Sequence, residues 1–281
     1  MQKVAVIGAG TMGNGIAHVF AQHHFSVVLV DLSKGLLDQA LSTISKNLDR
    51  MVAKDRISAQ QKVDTLLNVT TSTNLQSAVA DSDLVIEAVS EKESIKKDLF
   101  GKLSVFCPSN AILASNTSSI SITRLASYVD HPERVIGMHF MNPVPVMKLI
   151  EVIRGHRTSD EVAENIMELG VQLGKEPVVV NDYPGFISNR ILMPMINEAI
   201  YALHEGVGTK ESIDAIMRLG MAHPMGPIEL ADFVGLDVCL SILKVLYEGF
   251  GNPRYAPCPL LVNMVNAGLL GRKSGKGFYQ Y

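Results

Sequence analysis

The chain contains few cysteines, and their spacing does not let them act together. Only three occur in 281 residues, at Cys107, Cys239 and Cys258, and none belongs to a Cys-x-x-Cys pair. An odd number of widely separated cysteines argues against a disulfide framework and against a zinc site. We therefore expect no bound metal, and a reducing cytoplasm is the simplest setting for such a chain.

Other signs of a special partner or location are also missing. The formal net charge is only −3, so no electrostatic attraction to nucleic acid or to an anionic membrane is expected. The first residues do not show the basic, apolar and cleavage regions of a signal peptide. The most apolar long segment, residues 187–203, includes Arg190 and Glu198, which would be costly in lipid. The sequence thus predicts a soluble protein.

What is present indicates two globular domains. Hydrophobic residues make up 47% of the chain and charged residues 19%, and a chain this long exceeds the usual size of one core. Short apolar runs alternate with helical segments in the first part, which predicts a mainly parallel sheet wrapped by helices. After the break at Tyr183-Pro184-Gly185 we expect helices only, at about 186–204, 209–220, 228–247 and 259–267.

The predicted organisation is therefore a doubly wound α/β domain over residues 1–184, of the Rossmann type, and an all-helical domain over residues 185–281. Nearly forty residues separate the second and third predicted strands, and we expect one long helical insert at about 36–67. The helical domain is rich in methionine, which indicates burial against the first domain or a second subunit, or ordinary core packing.

The turn after the first predicted strand has the spacing of a dinucleotide-binding fingerprint. Residues 8–13 read Gly-Ala-Gly-Thr-Met-Gly, between a strand and a helical segment. In this context Gly8 permits the tight bend, Gly10 lets the backbone approach a pyrophosphate, and Gly13 lets the helix pack on the strand. The pyrophosphate then lies on the positive end of the helix, beside Thr11 and Met12. The alternative is a glycine-rich turn without a ligand.

An acidic residue at the end of the second predicted strand indicates which cofactor is bound. Asp31 lies 23 residues beyond Gly8 and can accept hydrogen bonds from the 2′-hydroxyl of an adenosine ribose. A 2′-phosphate would face this carboxylate, so the sequence favours NAD over NADP. Lys34 is close enough to leave some use of NADP possible.

His139 is the best catalytic candidate. It lies near the carboxyl end of a predicted strand, where ligands of α/β sheets bind. If residues 135–140 and 148–153 pair as antiparallel neighbours, Glu151 faces His139 on the same side of the sheet. A carboxylate beside an imidazole orients it as a base for work near neutral pH. A purely structural pair is the alternative.

Two further polar groups are candidates for binding. Residues 116–119, Asn-Thr-Ser-Ser, follow a predicted strand and suit either a ligand or a helix cap. Asn189 and Arg190 start the first helix of the small domain, beside the expected interdomain cleft.

The insert also carries basic residues at helical spacing. Lys46, Arg50 and Lys54 recur every four residues and would form one stripe on a helix. Such a stripe is either a solvated face or a binding surface for an anionic group.

With these residues assembled, the chain closely resembles the short-chain L-3-hydroxyacyl-CoA dehydrogenases. The resemblance covers essentially the whole chain and is carried by the stretches GAGTMGNGIA, DLVIEAV, ILASNTSS, ERVIGMHFMNPVPVMKLIEVI, PGFISNRILMPMINEA, HPMGPIELADFVGLD and GRKSGKGFY.

The resemblance implies an activity, its site residues and its partners. His139 would be the general base, Glu151 would orient it, and Ser118 and Asn189 would hold the reacting oxygen and the nearby acyl chain. Cofactor contacts would come, beside the glycine turn, from Asp31, Glu87, Lys92, Asn116, Ser118, Asn142 and Lys273. Asn47 and Lys54, with Arg50 between them, match a surface for coenzyme A. The family is generally homodimeric through its helical domain.

The expected reaction is reversible oxidation of a short-chain (3S)-3-hydroxyacyl-CoA, such as 3-hydroxybutyryl-CoA, with NAD+ as the acceptor. Such a reaction belongs to fatty acid and butanoate metabolism. A sugar-acid dehydrogenase of the gulonate type and a non-catalytic NADH-binding protein remain the alternatives. The first of these would need no surface for coenzyme A.

Overall fold

A computed structural model describes every residue of the chain and divides it into two compact units, Met1–Asp182 and Tyr183–Tyr281. The first unit contains one sheet. Its strands are β1 (Lys3–Ile7), β2 (Ser26–Val30), β3 (Val69–Ser72), β4 (Leu84–Glu87), β5 (Ile112–Ser115), β6 (Val135–Phe140), β7 (Leu149–Arg154) and β8 (Glu176–Asn181). Its helices are α1 (Thr11–Gln22), α2 (Lys34–Val52), α3 (Ala59–Leu67), α4 (Leu75–Val79), α5 (Glu93–Phe106), α6 (Ile122–Ala126) and α7 (Asp160–Gln172).

The eight strands lie in the order β3-β2-β1-β4-β5-β6-β7-β8. The first six in this order are mutually parallel, β7 is antiparallel to β6, and β8 is parallel to β7. Strands β4, β5 and β6 are buried along their whole length, as expected for parallel strands covered by helices on both faces. The predicted Rossmann-type, mainly parallel fold is confirmed.

This topology determines where a ligand can bind. Because β1, β2, β4, β5 and β6 are parallel, the residues that follow them meet at one edge of the sheet. The glycine turn, Asp31 and residues 116–119 each follow one of these strands. His139 is the penultimate residue of β6, so it belongs to the same edge.

The helical insert predicted at about 36–67 consists of two helices. Helix α2 ends at Val52 and α3 begins at Ala59, and Asp55 between them has a left-handed backbone with φ of 52°. Ser58 and Gln61 form a capping box that starts α3 anew. A left-handed residue followed by a capping box ends one helix and starts another, and a count of helix formers does not register either signal.

The second unit is helical, as predicted. Its helices are α8 (Ser188–His204), α9 (Lys210–Gly220), α10 (Pro227–Val234), α11 (Leu236–Phe250) and α12 (Pro259–Asn266). The predicted helix over 228–247 is in fact two, because Gly235 has a φ of 103° that breaks the helix. Pro194 lies inside α8, which continues through it.

Two buried carboxylates anchor the tail of the second unit. Asp232 accepts hydrogen bonds from the backbone of Phe278 and Tyr279, and Asp214 accepts one from the Tyr279 hydroxyl at 2.8 Å. Asp214 also accepts the Ile228 amide at the start of α10. The tail is thereby tied to two helices of its own unit.

None of the helices in the structure has both the length and the apolar character needed to cross a membrane.

Candidate active site

The glycine turn has the shape that a pyrophosphate requires. Gly8 has a φ of 105°, and a Cβ atom there would lie 2.6 Å from the Ala88 carbonyl oxygen. A Cβ atom at Gly13 would collide with the carbonyl oxygen of Gly8, so only glycine lets α1 start this close to β1. Gly10, by contrast, has nothing within 4 Å of its Cβ position. The backbone at the start of α1 is therefore open to an approaching anion.

Asp31 links the end of β2 to this turn. Its Oδ2 accepts the Ala9 amide at 2.8 Å, and its Oδ1 accepts the Ser33 amide at 3.1 Å. An ionised carboxylate has about four acceptor positions, so two hydrogen bonds leave capacity for a ribose hydroxyl. Asp31 is partly exposed, as such a contact requires. These residues fit a dinucleotide.

The predicted pairing of the catalytic candidates is confirmed. His139 is the register partner of Glu151 in the antiparallel β6–β7 ladder, and its Nδ1 lies 2.8 Å from Glu151 Oε2. His139 is 9% exposed and Glu151 is 3% exposed. A carboxylate can only accept, so the proton of the ring lies on Nδ1 and the lone pair on Nε2. An imidazole held in this way is oriented to take a proton at Nε2.

The segment 116–119 is organised by a carboxylate that sequence reasoning did not identify. Glu91 Oε1 accepts hydrogen bonds from the Thr117 hydroxyl at 2.5 Å and from the backbone amides of Ser118 and Ser119 at 2.9 and 3.1 Å. Burial by itself would raise the pKa of the Glu91 carboxyl, but the Lys96 charge and these hydrogen bonds outweigh burial and lower it. Glu91 therefore stays ionised and holds the segment of Ser118 in place.

Glu87 lies behind this segment and does not reach the surface. Its side chain is completely buried, and Lys96 donates to both of its oxygens, at 2.6 and 2.7 Å. The Ser115 hydroxyl and the Val89 amide also donate hydrogen bonds to the Glu87 carboxylate. Such a carboxylate has no surface left for a cofactor, so the contact expected from Glu87 cannot come from its side chain.

Lys96 connects the two carboxylates, since it is also 3.2 Å from Glu91 Oε2. A signal for it was present in the sequence: Lys96, Phe100 and Leu103 share the buried face of α5. Lysine on an apolar face is rare unless it is paired. Glu91 had a weaker signal, as a polar residue just beyond the carboxyl end of β4.

Asn116 connects the ends of two neighbouring strands. Its Oδ1 accepts the Phe140 amide at 2.9 Å, and this contact holds the end of β6 against the segment that follows β5. Asn142, two residues further along, is exposed. Lys92 is also exposed and occupies the N-cap position of α5.

A cavity of about 410 Å³ lies beside the glycine turn. One wall is α2, one is the start of α1, and one is the loop after β6. No charged side chain lines it, and its polar lining consists of Thr11, Asn14, Gln39, Thr43, Asn47 and Asn142.

The basic residues lie beyond the end of this cavity. Arg50 follows Asn47 by three residues on α2, and its guanidinium is 3.4 Å from the Asn47 amide oxygen. Lys54 was expected on the same helix, but α2 ends at Val52 and Lys54 lies in the turn that follows. The three residues thus do not form one helical stripe, although Lys46, Arg50 and Lys54 are all exposed.

The remaining predicted residues belong to the second unit. Asn189 lies in the first turn of α8, as the sequence predicted, and is buried. Lys273 lies in a short 3₁₀ turn of the tail, and its ammonium donates to Asp237 Oδ2 at 2.6 Å.

A glycine turn at the start of α1, a carboxylate at the end of β2 and a His–Glu pair at one edge of a parallel sheet define the class of a dinucleotide-dependent oxidoreductase. Comparison with known proteins specifies the family. Residues 3–183 match the model of the 3-hydroxyacyl-CoA dehydrogenase NAD-binding domain, and residues 185–281 match that of the 3-hydroxyacyl-CoA dehydrogenase C-terminal domain.

Individual proteins agree with this result over their whole length. The chain is 55% identical to a 3-hydroxybutyryl-CoA dehydrogenase of Bradyrhizobium diazoefficiens, over 100% of this chain and 96% of the relative. It is 50% identical to a probable 3-hydroxybutyryl-CoA dehydrogenase of Bacillus subtilis, over 100% and 98%. The crystal structure of (S)-3-hydroxybutyryl-CoA dehydrogenase from Ralstonia eutropha is similar with a TM-score of 0.98 and 46% identity, covering 100% of this chain and 99% of that one.

The chain therefore belongs to the 3-hydroxyacyl-CoA dehydrogenase family. It is an NAD-dependent dehydrogenase.

Proposed function

We propose that this protein catalyses the reversible oxidation of short-chain (3S)-3-hydroxyacyl-CoA, such as 3-hydroxybutyryl-CoA, to 3-oxoacyl-CoA. The observation that carries the proposal is the His139–Glu151 pair, which lies at the binding edge of the sheet in a chain of this family. The names of the relatives support the short acyl chain. NAD, when bound, accepts the hydride from C3 of the substrate.

The residues of the chain handle the proton of the 3-hydroxyl. His139 takes it at Nε2, and the imidazolium formed is stabilised by Glu151 across the ladder. Ser118, held by Glu91 through its backbone amide, is proposed to hold the reacting oxygen. Asn189 is proposed as a further substrate contact from the second unit.

The cofactor is proposed to bind along the same edge. The backbone of Gly10, Thr11 and Met12 at the start of α1 would hold the pyrophosphate, and Asp31 the adenosine ribose. Lys92, Asn116, Asn142 and Lys273 complete the proposed contacts. The Asp31 carboxylate disfavours the 2′-phosphate of NADP, although Lys34 nearby leaves some use of NADP open.

Coenzyme A is proposed to lie along α2. The neutral lining of the cavity, with Gln39, Thr43 and Asn47 on one helix face, suits an arm that contains amide bonds. Arg50 and Lys54 beyond it are exposed cations that suit phosphates. Along α2 the neutral residues of the cavity precede the cations, which is the order of amide arm and phosphates in coenzyme A.

A homodimer through the helical unit is the proposed assembly. Helix α9 presents Ile216 and Leu219 to solvent, 61% and 87% exposed, and Met221 just after it is 61% exposed. Neighbouring apolar side chains with such exposure are typical of a subunit contact.

The test is to mix the purified protein with acetoacetyl-CoA and follow the absorbance of NADH, with NADPH in a parallel cuvette. Rapid loss of NADH and slow loss of NADPH are expected. The proposal would be contradicted if the protein binds NADH but acyl-CoA does not cause NADH to be oxidised. L-Gulonate with NAD+ is the arm that would then support a sugar-acid dehydrogenase, and inactivity in both arms would support a non-catalytic NADH-binding protein.

A further inference from the structure

One buried lysine has no part in the chemistry proposed above. Lys175 directly precedes β8, is 9% exposed, and has no carboxylate within ion-pair distance. Removing an ammonium from water is expensive, and a buried lysine is normally paired with an acid. Burial accordingly lowers the pKa of Lys175. Its position therefore needs a reason.

The ammonium of Lys175 is bound by backbone carbonyl groups of a single loop. It donates to the Val144 oxygen at 2.6 Å and to the Met147 oxygen at 2.7 Å. These residues belong to the connection 141–148 between β6 and β7, which leads from His139 to Glu151. Val144 is buried, and a buried carbonyl group requires a donor. Charge-assisted hydrogen bonds are about twice as strong as neutral ones.

The loop cannot supply those donors itself. Pro143 and Pro145 have no amide hydrogen, and the amides of Val146 and Met147 both point back to the Pro143 oxygen, at 2.9 and 3.0 Å. The loop is thus a closed turn, and the Val144 and Met147 carbonyl oxygens are bound by Lys175 from outside it.

Helix α1 contacts the same loop through a close approach. The Val144 side chain is 3% exposed, and a Cβ atom on Gly15 would lie 2.9 Å from Val144 Cβ. The loop is therefore fixed at Val144 from two sides, by α1 and by Lys175. Asn142, Pro143, Val144 and Pro145 of the same loop line the 410 Å³ cavity.

We propose that Lys175 is a positioning residue that holds the loop 141–148 as the wall of the acyl-CoA and cofactor site. Its two hydrogen bonds keep Asn142 and the two prolines at the cavity. The His139–Glu151 pair does not depend on it, because the β6–β7 ladder and the Asn116 hydrogen bond hold that pair separately. The inference rests on the proposed function for its substrate.

The test compares Lys175→Met with Lys148→Met. Lys148 is an exposed lysine of the same loop whose partner is Glu176, at 3.4 Å. For Lys175→Met we expect the KM for acetoacetyl-CoA and the Kd for NADH to rise about tenfold, with kcat within about twofold of wild type, because a displaced wall weakens binding more than chemistry. Lys148→Met is expected to change neither value.

A lysine that serves only stability would lower the melting temperature and leave KM and Kd unchanged, and that result would overturn the proposal. So would equal effects of the two variants. If Lys175→Met does not fold, Gly15→Ala moves the same loop from the α1 side, and an unchanged KM in that variant overturns the proposal. If wild type does not reduce acetoacetyl-CoA, the proposed function fails, and the NADH titration of Lys175→Met alone decides the role of Lys175.

Discussion

His139 and Glu151 show how one pair of residues can be placed for acid–base chemistry by strand register alone. Because side chains alternate along a strand, a slip of one residue would turn the two groups to opposite faces. The observed register joins them at 2.8 Å. The role of the pair in turnover is therefore open to a direct test by substitution.

Replacing His139 with Gln is expected to reduce kcat by a factor of order 10² or more, because the variant lacks the imidazole proposed to take the hydroxyl proton. The Kd for NADH, measured by fluorescence titration, should stay near the wild-type value. Glu151→Gln keeps the hydrogen-bonding shape and should lose less. Normal turnover in His139→Gln would remove this residue from the mechanism.

His18 is a second residue whose environment has a measurable effect. It is completely buried in α1, and neither ring nitrogen has a hydrogen-bond partner. Burial lowers the pKa of His18 from 6.5 to about 4, against an opposing effect of the Gln22 side chain and with a smaller lowering effect of the Lys175 charge. At pH values between these two pKa values, His18 therefore binds a proton in the unfolded chain but not in the folded chain.

The free energy of unfolding should consequently decrease as the pH falls from about 6.5 to about 4, by about 3 kcal/mol from this group. His18→Leu removes the titration and should flatten that part of the profile, measured by urea unfolding at each pH. His156, an exposed histidine, provides the control. Equal pH profiles for wild type and His18→Leu would show that His18 is not neutral by burial.

At the level of elements, α2 and the turn after it carry the proposed contacts with coenzyme A, apart from the His139–Glu151 pair. The helix face with Thr43 and Asn47 lines the cavity, and the cations lie beyond it. The two ends of α2 are far apart along the helix axis. Leu36 and Arg50 are separated by about 21 Å at 1.5 Å per residue. Different parts of α2 should therefore affect different parts of the substrate.

The double variant Arg50→Ala, Lys54→Ala is expected to raise the KM for acetoacetyl-CoA about threefold to tenfold, since exposed charge pairs contribute about 1 kcal/mol or less each. The effect should shrink in high salt. The acetoacetyl thioester of N-acetylcysteamine, which has no phosphates, should be unaffected. Lys102→Ala, an exposed lysine of α5, is the matched control. Equal losses on both substrates would contradict a phosphate contact.

For the whole molecule, the exposed apolar side chains of α9 are the basis of the proposed dimer. We expect sedimentation to give about twice the 30.5 kDa mass of one chain. Leu219→Glu places a charge in the proposed contact and should shift the protein toward monomer. Val105→Glu, at a residue of α5 that is 75% exposed, should not. A monomeric wild type would exclude the dimer.

The sequence was informative wherever a local pattern has one structural solution. The glycine turn between a strand and a helix and the position of Glu151 opposite His139 both followed from spacing. The breaks between consecutive helices did not follow from composition, because each depends on the backbone angle of one residue, Asp55 or Gly235. Nor did the placement of Lys54, which depended on where α2 ends.

Only the tertiary structure decided the partners of Glu87, Glu91 and Lys175. Glu87 and Glu91 are only four residues apart in the sequence. The Glu87 carboxylate is buried against Lys96 and Ser115, whereas the Glu91 carboxylate accepts the backbone amide of Ser118. Lys175 meets a loop 28 to 31 residues earlier in the chain. Sequence determined the fold class and the glycine turn because these depend on neighbours along the chain. Burial and long-range hydrogen bonds depend on packing between distant segments, and local patterns carry no record of them.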